Sequence, residues 1–78
     1  MAWTEKGGAL EKEFEFSNFI EAFSFLTKVA IIAEKQNHHP EIINVYNKVK
    51  LRLSSHDLGN IVGEKDHALA KSIDQIHH

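Results

Sequence analysis

The sequence predicts an α+β fold in which an antiparallel sheet carries two helices on one face. Three observations predict it. Residues 10–16 alternate apolar and charged side chains at period two. Residues 19–33 return apolar side chains at three- and four-residue steps, and Pro40 then forbids the helix from continuing. Residues 41–53 are rich in β-branched and aromatic side chains, and a second helical pattern follows at 64–76.

The elements follow in order. Trp3-Thr4 precedes a Gly7-Gly8 turn signal, after which Leu10, Lys12, Phe14 and Phe16 fall on one side of a strand and Glu11, Glu13 and Glu15 on the other. That is a hairpin with its acidic side toward water; Lys12 is the exception to the alternation. Ser17 or Asn18 caps the first helix, with Glu21 placed for a capping box. Phe19, Ala22, Phe23, Leu26, Val29, Ala30 and Ala33 make its inner stripe. Ile20, Phe25, Ile31 and Ile32 lie off that stripe and widen the apolar surface, either for a broadly buried helix or for contact with another subunit. "EIINVYNKVKLRLSS" reads as one strand or two with one face buried. "HDLGNIVG" is a loop. In the last helix, Glu64 and Asp66 suit the first-turn dipole, and Leu69, Ala70, Ile73 and Ile76 face inward.

Size and composition narrow the function. Residues 1–78 make a single small domain of ordinary apolar (42%) and charged (26%) content, which argues against disorder. The absence of cysteine excludes disulfides, thiolate–zinc sites and a thiol nucleophile. Nine Lys+Arg among eleven Asp+Glu leave no clustered basic face for nucleic acid. No apolar run is long enough for a membrane span and no signal peptide is visible, so the expected location is cytoplasmic. A chain this short, without staples, is expected to associate as a homo-oligomer.

Six histidines are many for 78 residues. His77 and His78 are terminal and receive no role, and His67 reads as a surface residue. His38 and His39 stand at the helix-to-strand corner, and His56 follows the last strand, before Asp57. Three readings are open. The imidazoles can cap a helix C-terminus, where histidinium suits the dipole. They can bind a metal, although neighbouring ligands point about 100° apart on a helix. They can exchange protons near neutral pH.

The run "EKQNHHPEIINVYNKV", then "LRLSSHD" and "EKDHALAKSID", resembles the pterin-4a-carbinolamine dehydratase family. The matching groups are His38-His39-Pro40, Asn44-Val45-Tyr46-Asn47, Ser55-His56-Asp57, and Asp66 with Leu69-Ala70. Trp3 and "EFEFSNFIEAFSFLTKVAIIAE" extend the likeness over residues 3–76.

The resemblance implies a four-stranded antiparallel sheet with helices on one side, assembled as a homodimer or homotetramer. It implies removal of water from a 4a-hydroxytetrahydropterin to give the quinonoid dihydropterin. That reaction regenerates the tetrahydrobiopterin-type cofactor of aromatic amino acid hydroxylases, with no metal or organic cofactor. It makes His38, His39 and His56 the catalytic set, with His38 and His56 moving protons and His39 holding the pterin or assisting. Glu34, one turn before His38, would orient its imidazole. Asp57 and Asp66 are orienting or binding groups, with Asp66 at the edge of the site. The implied hollow gathers side chains 38, 39 and 56. The sequence departs from the family pattern at Asn37 (Asp in some members), at Ile42 (usually Trp) and in a longer His56–Asp66 loop carrying Gly59-Asn60. The alternative implied role is that of a small dimerising partner protein without catalysis.

Overall fold

A computed structural model describes residues 2–55, 59 and 61–77. The elements run β1 (Thr4–Lys6), β2 (Ala9–Glu15), α1 (Phe19–Gln36), β3 (Glu41–Val45), β4 (Lys48–Leu53) and α2 (Glu64–Ile76). The four strands form one antiparallel sheet in the order β1-β2-β4-β3.

Register sets the two faces of the sheet. Leu10 opposes Leu53, Lys12 opposes Leu51 and Phe14 opposes Val49, so one face is almost wholly apolar. Both helices contribute to the core on that face: Ala22, Phe25, Leu26, Val29 and Ala33 of α1, and Leu69, Ala70 and Ile73 of α2. Lys12 sits on the buried face without breaking it. Its ammonium lies over the rings of Trp3 and Phe14, 5.8 and 5.1 Å from their centroids, and reaches Asp74 of α2 at 2.8 Å. Asp74 also accepts from the Trp3 indole at 3.0 Å, which ties the first strand to the last helix. On the open face, Arg52 donates to Glu11 at 2.6 Å and to Glu41 at 3.0 Å.

The helix ends follow their sequence signals. Asn18 caps α1 by accepting from the Glu21 N–H at 2.9 Å, and Glu21 reaches back to the Ser17 N–H at 3.1 Å. At the other end Asn37 takes a left-handed conformation (φ 53°), and the His38 N–H closes onto the Ala33 carbonyl at 3.0 Å. The run after Pro40 is two strands. They are joined at Tyr46-Asn47, with Tyr46 at φ 52° and the Asn44 side chain bracing the turn through the Tyr46 and Lys48 carbonyls.

Two expectations are corrected by the packing. Phe25 is a core residue, its ring 4.8 Å from Phe14 and 5.1 Å from Phe16. Phe19 and Phe23, expected inside, are 47% and 54% exposed. The α1 stripe that meets the sheet is rotated toward Phe25 and Ile32, because the aromatic floor of Phe14 and Phe16 lies on that side. A single strand through 41–53 with one buried face would put Val45 on the parity of Val49 and Leu51; Val45 is instead exposed, because the hairpin turn resets the alternation. His77 also packs, edge to face, against Phe14, Phe16 and Phe25.

Candidate active site

The corner after α1 separates His38 from His39. Once Asn37 turns left-handed, His38 no longer continues the helical face that carries Glu34. Its side chain is 12% exposed, and Nε2 meets Oδ1 of Asp66 in the first turn of α2. The expected Glu34–His38 contact is therefore replaced. Glu34 pairs instead with His39, Oε1 to Nε2 at 2.8 Å, both largely in solvent. An ion pair that exposed contributes little.

Asp66 was expected at the edge of the site, and it is buried completely. Its carboxylate is surrounded by donors. Oδ2 accepts from the Ser55 hydroxyl at 2.8 Å and from the Gly63 N–H, the N-cap of α2, at 2.8 Å. Oδ1 meets His38. Burial pushes the Asp66 carboxyl up. The Gly63 N–H, His38 and Ser55 outweigh that, and the net result lies below the ordinary aspartate value. An ionised carboxylate only accepts hydrogen bonds, so the proton shared with His38 sits on the imidazole Nε2.

The stability consequence has a definite sign. A carboxyl depressed on folding contributes stability that is present above its unfolded pKa and lost as pH falls through the folded one. We expect the urea midpoint to drop as the medium is acidified below the ordinary aspartate value of 3.8, in a series from about pH 5 to about pH 2. Asp66→Asn should lose part of that dependence; an unchanged acid limb in the variant would contradict it.

Two of the expected site residues, His56 and Asp57, lie outside the described residues. His39 borders a hollow of about 290 Å³ that also takes in Gly7, Gly8, Glu41, Arg52 and Ser54. His38 turns inward to α2 while His39 stays with Glu34 on α1, so the two imidazoles serve different acids. Among the described residues no group of three or more His, Cys, Asp or Glu side chains is arranged to hold a metal ion, and no helix is long and apolar enough to cross a membrane.

Ser55 and Gly63 were not foreseen as site residues. A signal for Ser55 was present: it continues the inward parity of Leu51 and Leu53, and a hydroxyl placed inside needs a partner. For Gly63 the signal was the three-residue step to Asp66, the spacing at which an acid reaches back to a helix N-cap.

Comparison with known proteins places these features in context. The profile of a family described as Pterin 4 alpha carbinolamine dehydratase matches residues 1–76. Two proteins from different strains of Prochlorococcus marinus, both provisionally named pterin-4-alpha-carbinolamine dehydratase, are 55% and 53% identical to the chain over 74 residues. Each alignment covers 95% of this chain and 76% of the relative. Among solved structures, a transcriptional coactivator/pterin dehydratase from Brucella melitensis superposes with a TM-score of 0.91 at 36% identity, over 97% of this chain and 82% of that one. A pterin dehydratase-like protein identified as a RuBisCO assembly factor in the alpha-carboxysome gives a TM-score of 0.75 at 27% identity, over 95% and 84%.

Proposed function

Because the chain belongs to the pterin-4a-carbinolamine dehydratase family, we propose that it removes water from a 4a-hydroxytetrahydropterin by histidine acid/base catalysis. The observation that carries this reading is the His38–Asp66 pair, an imidazole that is part-buried and held by an ionised carboxylate.

The chemistry asks for two proton transfers. One group removes the proton on N5, and another protonates the departing hydroxyl on C4a. The C4a–O bond breaks, the N5 electron pair forms the N5=C4a double bond, and water and the quinonoid dihydropterin leave. His38 is the base in this reading. Asp66 holds the Nε2 proton, so Nδ1 is the lone pair left to take the N5 proton. The negative charge of Asp66 offsets the positive charge that His38 then gains. His56 is the acid, Asp57 its neighbour in orienting substrate, and His39, kept upright by Glu34, holds the pterin. No metal or organic cofactor enters the scheme. Two-electron reduction of the quinonoid product by a separate reductase would then restore a tetrahydropterin cofactor for hydroxylases, in a cytoplasmic setting.

The test uses freshly generated 4a-carbinolamine tetrahydropterin, followed by ultraviolet absorbance with and without the purified protein. A rate above the spontaneous one is expected; an equal rate defeats the proposal.

A second reading draws on α1. Phe19, Ile20, Phe23 and Ile31 are 47–75% exposed along one side of the helix, and exposed apolar surface of this kind can mark an interaction site. Two similar solved structures are of a transcriptional coactivator/pterin dehydratase and of a pterin dehydratase-like RuBisCO assembly factor. A homodimer or homotetramer built on this face is the version compatible with catalysis. A non-catalytic partner protein would keep the face for another chain and show no acceleration in the same assay.

A further inference from the structure

Among the described residues, the buried polar or charged side chains are Ser55, 2% exposed, and Asp66, fully buried. They are bonded to one another. Burying polar groups is costly unless each is satisfied, and an apolar pair of similar volume generally holds a core as well. Packing alone therefore gives no reason for both to be here. The geometry gives one. The Ser55 backbone is pinned by its own N–H to the Ile61 carbonyl at 3.0 Å, so the hydroxyl leaves from a fixed origin two residues past β4. It meets the same carboxylate oxygen as the Gly63 N–H, both at 2.8 Å. Two donors on Oδ2 fix the plane of the carboxylate and turn Oδ1 toward His38.

We propose that Ser55 is a positioning residue: its hydroxyl, with the Gly63 N–H, clamps the Asp66 carboxylate so that His38 carries its proton on Nε2 and offers Nδ1 to substrate. Ser55 touches neither substrate nor His38; it acts through Asp66. Without it, Oδ2 keeps one donor and the carboxylate can rotate about its last bond. His38 then loses its fixed tautomer and orientation, and a small misplacement of a proton-transfer group is costly in rate.

The experiment reads the ring directly in the full chain. Long-range proton–nitrogen correlation spectra assign the His38 tautomer in the unmodified protein, in Ser55→Ala, and in the near-isosteric pair Ser55→Thr and Ser55→Val. The expected unmodified spectrum has neutral His38 protonated at Nε2, with a slowly exchanging ring proton. Ser55→Ala and Ser55→Val should mix the tautomers, speed that exchange and lower kcat about 10-fold with KM held, while Ser55→Thr retains both properties. A proton on Nδ1 in the unmodified protein overturns the proposal, whether or not the apolar variants fold. So do folded Ala and Val variants with unchanged ring signals and unchanged kcat. The kcat arm rests on the dehydratase reading and the ring arm does not. An inactive protein whose His38 signals respond to Ser55 would sink the dehydratase and keep the clamp.

Discussion

Replacing His38 and His56 together by alanine is expected to abolish nearly all acceleration of carbinolamine dehydration. Each positioned proton transfer is typically worth about 10²–10⁴-fold, and the proposed scheme contains two. The His38 side chain is 12% exposed and held by a fully buried acid, so its loss removes the imidazole that Asp66 positions. His39, paired with Glu34 on the solvent side of α1, is not placed to substitute for it. The check is a single-turnover measurement of the double variant against the spontaneous rate. Full activity in that variant would show the roles to be wrongly assigned. His39→Ala, in contrast, should raise KM more than it lowers kcat, as befits a residue that holds substrate.

Asp66→Ala should have the largest effect on stability, a loss of roughly 3 kcal/mol or more, since each buried donor left without an acceptor costs about 1–3 kcal/mol. Three donors lose their acceptor at once: the Ser55 hydroxyl, the Gly63 N–H at the start of α2, and Nε2 of His38. Unpaired buried donors cost more than the net value of the bonds they had made. Chemical denaturation of both proteins at neutral pH measures the difference. A loss below about 1 kcal/mol would mean that water reaches the vacated space and satisfies those donors. Asp66→Asn should be milder, since its carbonyl oxygen still accepts from one or two of them.

The sheet was readable because its two faces differ so strongly in chemistry. Leu10, Phe14, Val49, Leu51 and Leu53 against Glu11, Glu13, Lys50 and Arg52 leave little freedom in register. The first helix was less readable. Apolar residues surround more than half of its circumference, so periodicity alone could not choose between the Phe19–Phe23 side and the Phe25–Ile32 side. The choice depended on where Phe14 and Phe16 lie, and that is a tertiary fact.

The candidate site divides in the same way. Its histidines stood out by their number and their place at chain corners. Their partners did not, because the Glu34–His38 spacing assumes helix as far as His38. The left-handed Asn37 ends the helix first and hands His38 to an acid 28 residues further on. Ser55 was legible only as a parity, continuing Leu51 and Leu53 inward; the acid that satisfies its hydroxyl lies 11 residues away on another element and is a tertiary fact.

His38, Ser55, Gly63 and Asp66 come from the exit of α1, the segment just past β4 and the entrance of α2. No two of these segments suffice to assemble the quartet. Fraying of the final helix would unmake the chemistry before it disturbed most of the sheet, so activity should vanish ahead of bulk structure during gentle denaturation, and its return should mark the moment when all three have docked.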